Sequence, residues 1–434
     1  MNRAPGRVSA VWILLAMVFA AGVWLFAQRV LIPYQIRDAV AHERPRGNLS
    51  DLYPRWIGAR ALLLQRRDPY GEGVAREIQT GYYGRPLDPA RSGDPRDQQG
   101  FAYPVYIVFW LAPTLSMPFA EVERGFLVVL IVLTSVSVLF WLKLLNMSLR
   151  STGLVVALVL TLGSLPVMQG LKLEQLSLLI AGLIAVAVWL LARGHLIGAG
   201  GVLAAASVKP QLLVFLLIWL AIWAAFDLRR RSRWALSFVA VMVAQLAGAE
   251  YYLPGWIPRF LRALRDYRQY TGAVSVSHVL AGPVVGSLIE FAAFILFLRL
   301  CWRQRAAHAD SPSFAYVSAA VLALTVLLQP TDSVYNQVLL LPAILAVVRD
   351  IRSIWSRSIV TRGLLVLGVV LTAWPFLSST ILAGLSFVFP REAVERAWQV
   401  PFWTAFAIPL VIAAVMLACS QSGVFPDSDS ASSS

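Results

Sequence analysis

Residues 11–32 read VWILLAMVFAAGVWLFAQRVLI, and this stretch decides the fold. About 20 apolar residues in a helix cover the roughly 30 Å hydrocarbon core of a bilayer. The run meets that length and follows a cationic flank, Arg3 and Arg7. It is long for a signal-peptide core, and no small-residue cleavage site follows it. It therefore reads as a retained anchor with a cytoplasmic N-terminus.

The composition agrees. Across 434 residues, 58% are hydrophobic and 14% charged. A soluble domain carries about 25% charge. So little charge cannot cover a water-soluble surface of this size, which excludes an ordinary soluble globular protein. The net charge is +14, from 37 Lys+Arg against 23 Asp+Glu. The basic residues lie between apolar runs, so they read as cytoplasmic loops held by the positive-inside bias rather than as a nucleic-acid surface. Cys301 and Cys419 are far apart and form neither a metal spacing nor a disulfide framework. His42, His195, His278 and His308 are scattered, so no HExxH-type zinc site is present.

Moving outward from the first run, further spans are expected at roughly 125–145, 153–168, 176–192, 196–208, 211–226, 234–250, 279–300, 314–328, 336–348, 363–382 and 402–419, about twelve in all. The expected fold is an all-α polytopic bundle, a single transmembrane domain over residues 1–420 with a disordered cytoplasmic tail at 421–434. Residues 34–101 form a long polar first loop on the outer face. Tyr103–Pro118 is apolar but short and carries Pro104, Pro113 and Pro118, so it reads as re-entrant or interfacial. Counting it as a span would put the Arg229–Arg233 cluster outside; leaving it out keeps the loop charges on the cytoplasmic side, with both termini there. The tail's Asp427–Ser428–Asp429 looks like a metal-binding triplet, but on such a tail it reads as a solvated run.

The long loop opens with SDLYPRWIGARALLLQRRDPYG, residues 50–71. Trp56, Ile57, Leu63 and Leu64 give one apolar side, while Arg55, Arg60, Arg66 and Arg67 lie largely elsewhere. The segment reads as an amphipathic helix at the membrane surface. Asp51 stands just before it, either as a helix cap or as a carboxylate placed to act as a general base. From spacing alone the cap is favoured.

Polar residues inside membrane segments are costly and often functional. Four groups sit near the outer ends of spans: Lys172, Glu174 and Gln175 in GLKLEQ; Lys209 and Gln211 in SVKPQ; Ser277 and His278 in SVSH; and Asp332, Tyr335 and Asn336 in QPTDSVYNQ. A shared polar vestibule on the outer face follows. Lys209, before the helix-breaking Pro210, reads equally as a phosphate ligand or as a lysine snorkelling to the interface. The GAGG before it suits close helix packing through small residues. GWIPRFLRALRDYRQY, residues 255–270, reads as a second surface helix. Arg265 and its neighbouring arginines there form either an anchor to anionic head groups or a rim for an anionic lipid substrate. Tyr103 belongs to a group of loop tyrosines compatible with stacking on sugars.

The order of these features resembles a known family. A long outer loop with an early acidic residue is followed by D-P-Y-G, F-A-Y-P, G-x-x-x-x-Q, V-K-P-Q and Q-P-x-x-x-x-Y-N-x-x-L-L-L-P. The pattern is similar to the polytopic GT-C glycosyltransferases, most closely glycosyltransferase family 87, over about residues 10–420. The resemblance implies a GT-C-like bundle and transfer of mannose or a related sugar from a polyprenyl-phosphate donor to a lipid or glycan acceptor. It implies Asp51 as the base and Lys209 facing the donor phosphate, with His278, Tyr335 and Asn336 bordering the donor pocket. Lys172, Gln175, Gln211, Tyr103, Arg55 and Arg265 complete the expected substrate-binding set. A single inverting displacement without metal or cofactor is expected, at the outer face of a bacterial cytoplasmic membrane. Expected partners are the donor, the acceptor and membrane lipids, and no nucleic acid. A lipid-linked glycan flippase or small-solute transporter accounts for the hydropathy equally well. A lipid-linked glycan ligase centred on Arg262, Arg265 or His278 is a second rival.

Overall fold

The computed structural model describes residues 5–44, 50–88, 90–95, 98–272, 274–329 and 333–421. Asp332, Asp427, Asp429 and the tail from 422 onward lie outside the described residues. Among the described residues every regular element is helical and no strand is present.

The first apolar run is one continuous helical rod. It runs from Pro5–Phe26 through a π-helical turn at Ala27–Leu31 into Ile32–Ala41. It therefore reaches well past Ile32, where the apolar run stops. The wide π turn lies directly before Pro33, which has no N–H to donate and crowds the carbonyl four residues back. Beyond the apolar part, Tyr34 stacks on Trp398 at 5.1 Å, and Arg37 pairs with buried Glu395. The polar end of the rod is thus clasped by the chain after residue 390.

Among the described residues, six helical segments are long and apolar enough to cross a membrane: Ala10–Ala41, Phe119–Leu144, Leu228–Tyr252, Val276–Arg303, Ile359–Leu385 and Arg391–Cys419. Shorter apolar helices, Leu176–Ala192, Leu196–Ala206, Val214–Phe226, Pro312–Leu328 and Val334–Arg349, occupy other expected spans. The run expected as one span at 153–168 is broken into Ser151–Leu162 and Leu165–Lys172, bent by 53°. Gly163, Ser164 and Pro166 explain the break: glycine and a cap-type serine end one helix, and proline suits the first turn of the next.

Long helices turn large apolar side chains outward. Val128 and Val132, Leu288 and Phe291, and Val369 and Val370 are all more than half exposed. A water-soluble bundle would bury these stripes; against lipid they need no cover. Inside, every residue from Phe314 to Leu327 is buried, so Pro312–Leu328 is the central post of the bundle. Leu196–Ala206 packs tightly on Leu228–Tyr252. A Cβ at Gly200 would lie 2.1 Å from the Trp234 carbonyl oxygen, so the small-residue run does serve close packing.

The first loop departs from expectation. Leu52–Gln65 is not a surface helix: Leu52, Pro54, Arg55, Trp56, Ile57, Gly58, Ala59, Ala61 and Leu62 are all buried. Its small residues admit neighbours closely, and a Cβ at Gly58 would lie 2.2 Å from the Phe101 ring. The DPYG motif is a turn. Asp68 accepts the Tyr70 N–H at 2.9 Å and an Arg259 guanidinium N–H at 2.8 Å, while the Tyr70 hydroxyl donates to the Tyr103 carbonyl at 2.6 Å. Tyr103–Pro118 folds into the five-residue helix Ile107–Leu111 and the turn Ala112–Thr114, too short to cross a bilayer.

Candidate active site

Asp51 occupies the N-cap position of Leu52–Gln65, yet its side chain caps nothing. The carboxylate turns instead toward the end of Leu165–Lys172. The Asp51 N–H donates to the Leu173 carbonyl at 2.9 Å, the Gln175 amide donates to Oδ2, and the Tyr82 hydroxyl faces Oδ1 at 3.5 Å. Protein surrounds the carboxylate while one edge of the residue stays open. Burial raises its pKa above the usual carboxylate value, and the charges of Arg55, Lys209 and Lys172 oppose that rise.

Arg55 lies one turn further along the same helix. It is buried, donates to the Tyr103 hydroxyl at 2.7 Å, and stands 4.1 Å above that ring. A planar guanidinium lying against an aromatic face is a favourable way to keep a buried cation. Lys172, at the end of its helix, donates to Gln35 on the first rod.

Lys209 sits where Leu196–Ala206 ends and Pro210 forces a turn. It is 6% exposed. Its ammonium donates to Ser177 Oγ at 2.7 Å and Asn336 Oδ1 at 3.2 Å, and Ser177 donates to the same Asn336 oxygen at 2.6 Å. The ring of Tyr335 lies 5.0 Å from the ammonium. Such a buried lysine does not snorkel, since its head group turns into protein. Two of its three N–H bonds are placed by Ser177 and Asn336.

The structure thus gathers Asp51, Arg55, Tyr103, Lys172, Gln175, Lys209, Tyr335 and Asn336 from distant segments. The other expected members lie elsewhere. Gln211 and Arg265 have exposed side chains. Pro210 starts a tight 3₁₀ turn, which carries Gln211 outward while Lys209 stays inside. His278 joins a separate cluster in which Nδ1 meets Ser275 Oγ at 2.9 Å and Nε2 meets Ser287 Oγ at 3.0 Å, with Glu290 accepting from Ser275 and Ser277. This cluster closes the kink at Gly282–Pro283, where Gly282 has φ 77°. Ser177 and Gln35 were not singled out from sequence, and Tyr82 was marked only as one of the loop tyrosines. Ser177 is two residues after Gln175 in a helical first turn, a signal visible only once Gln175 is known to face inward.

Residues 101–330 match the sequence model of glycosyltransferase family 87. The chain belongs to this family. Neither a curated protein nor a solved structure matches it. The matched span of this membrane glycosyltransferase contains Tyr103, Lys172, Gln175, Lys209, Gln211, Arg265 and His278. Asp51 and Arg55 precede it, and Tyr335 and Asn336 follow it. The fold, rather than the family pattern, brings the outlying residues to the matched ones.

Proposed function

We propose that this transferase moves mannose or a related sugar from a polyprenyl-phosphate donor to a lipid or glycan acceptor, at the outer face of the cytoplasmic membrane. The reading rests on one observation: a carboxylate on a partly exposed residue, Asp51, shares its surroundings with the buried cations Arg55 and Lys209. That is the charge arrangement an inverting displacement needs. The acceptor hydroxyl oxygen forms a bond to the anomeric carbon and its proton passes to Asp51. The bond from that carbon to the phosphate oxygen breaks, and the electron pair leaves on polyprenyl phosphate. Lys209 meets the growing phosphate charge, and the positive end of Leu176–Ala192, which begins beside Ser177, adds to it. Fixed donors in a site sheltered from water stabilise a leaving anion without reorganisation. The donor's lipid tail stays in the bilayer, which is why the site belongs to a membrane protein. The lipid-linked donor is a co-substrate, and the proposal includes no further cofactor. The loop charges support an outer-facing site with both termini in the cytoplasm.

The test is label transfer from radiolabelled polyprenyl-phosphate mannose in membranes containing the protein. Wild type labels a new acceptor, and Asp51→Asn lowers the rate by about 10²–10⁴-fold, the usual worth of a positioned base. Equal transfer by both would remove Asp51 from the chemistry.

A further inference from the structure

Asp51 and Gln175 share an unusual position. Each is the N-cap residue of its helix, Leu52–Gln65 and Leu176–Ala192, and neither side chain caps its own helix. They bond to each other instead. Aspartate ordinarily caps a helix N-terminus, so Leu52–Gln65 forgoes that contribution for a contact between the two residues.

The turn carrying Gln175 is built to hold it there. Leu165–Lys172 ends with Glu174 in the left-handed region at φ 50°. The Gln175 N–H reaches back to the Gly170 carbonyl at 2.8 Å, and the Glu174 N–H reaches that of Leu171 at 3.1 Å. This is the Schellman pattern, which normally places glycine where Glu174 stands. A side chain in that conformation is strained, and such strain persists where the surroundings fix it. The same turn accepts the Asp51 N–H through Leu173. Both the backbone and the carboxylate of Asp51 are therefore referred to one rigid turn.

We propose that Gln175 is the positioning residue for Asp51. This rests on the reading of Asp51 as the base. The amide donates to Oδ2 and so leaves Oδ1, which the Tyr82 hydroxyl meets only at 3.5 Å, as the oxygen to receive the acceptor's proton. Gln175 is 1% exposed, and its Oε1 has no hydrogen-bond partner among the described residues. Turning the amide over would set Oε1 against the carboxylate, oxygen against oxygen. The ionised carboxylate thus fixes the amide, and the amide fixes which oxygen is the more tightly held. The titratable groups around Asp51 are Arg55 on its own helix, Lys172 at the end of another, Lys209 in the turn before Pro210, the buried carboxyl of Glu174 next to Gln175, and the hydroxyls of Tyr82 and Tyr335. Changing Gln175 alone removes none of them.

The test uses full-length protein in lipid bilayers and reads the Asp51 proton directly. The infrared band of a protonated carboxyl that Asp51→Asn removes is titrated in wild type, Gln175→Met and Gln175→Glu. Methionine keeps the shape without the donor, and glutamate keeps the shape with a competing acid. Losing a hydrogen bond to the ionised form raises a carboxyl pKa. The midpoint should rise by about one pH unit in Gln175→Met and further in Gln175→Glu. The acid limb of sugar transfer should move with it, while the donor KM changes by less than about twofold. An unmoved midpoint in both variants overturns the proposal, as does a raised donor KM with an unmoved acid limb. If Asp51→Asn keeps wild-type transfer while the midpoint moves, the contact stands and the base assignment fails. If Asp51→Asn is inactive and the midpoint is unmoved, the base stands and Gln175 has another task.

Discussion

Two helices of this protein look alike in sequence and end in opposite surroundings. Leu52–Gln65 and Trp256–Thr271 both carry arginines at helical spacing among bulky apolar residues. The first is buried on most of its circumference, and Arg55 sits inside the protein beside Tyr103. The second exposes Ile257, Leu261, Arg262, Arg265 and Arg268. It is anchored near its start, where Trp256 meets Tyr106 edge-on at 6.0 Å and Arg259 pairs with Asp68. Gly255 and Gly272 flank it, both in the left-handed region. The difference lies in where the small residues are. Gly58, Ala59 and Ala61 are within the first helix, so neighbours close on it. In the second helix the glycines flank the ends, which lets the chain turn without letting neighbours approach its middle. Arginine spacing alone does not distinguish a buried cation from a solvated one.

Arg55 is where the two helices differ most. Arg55→Met keeps much of the side-chain volume and removes the charge, and should lower sugar transfer by about 100-fold, the scale of losing one stabilising donor at a reacting anion. A loss of less than threefold would make Arg55 a packing residue only.

The carboxylate at the head of the same helix gives the next effect. Activity needs ionised Asp51, whose pKa burial raises, so transfer should fall about tenfold per pH unit below a limb lying above the ordinary carboxylate range. Stability runs the other way. A carboxyl with a raised folded pKa contributes most below its unfolded value, and that contribution is lost as pH rises through the folded value. Asp51→Asn should therefore melt higher than wild type at neutral pH while transferring sugar about 10²–10⁴-fold more slowly; a lower melting temperature would contradict the burial argument.

Gly58→Val tests the small-residue explanation. The new side chain meets the Phe101 ring, and overpacking of this kind costs about 1–3 kcal/mol. Thermal unfolding in detergent reads the loss. The smallest effect belongs to the exposed helix: Arg265→Gln should change transfer by less than about twofold, as surface substitutions usually do. A tenfold loss there would revive the reading of Arg265 as a substrate ligand.

The long apolar runs were legible because length and hydropathy suffice to mark them. The break after Leu162 was written in Gly163, Ser164 and Pro166, but apolar residues on both sides hid it. At the site, Asp51, Lys209, Tyr335 and Asn336 were legible as polar groups at the edges of apolar segments. The contact between Asp51 and Gln175 was not, because it joins two residues whose local role would be capping. His278 shared the same signal as Lys209 and lies in a cluster of its own, where Ser275, Ser287 and Glu290 surround it within a short stretch. Sequence marks which side chains are polar in an apolar setting; which of them meet depends on helix breaks and close packing far away.

The Asp51–Gln175 contact spans 124 positions of the chain, and that between Lys209 and Asn336 spans 127. A ribosome delivers this protein from its N-terminus, so the carboxylate emerges early, before any of its downstream partners. Its nearby arginine comes next, the positioning amide much later, and the asparagine that steadies the lysine later still. No fragment ending before Asn336 holds the complete constellation. Assembly of the working centre is therefore timed by membrane insertion of most of the polypeptide, and a nascent chain released early carries the acid and its arginine without the amide and the lysine that complete the centre.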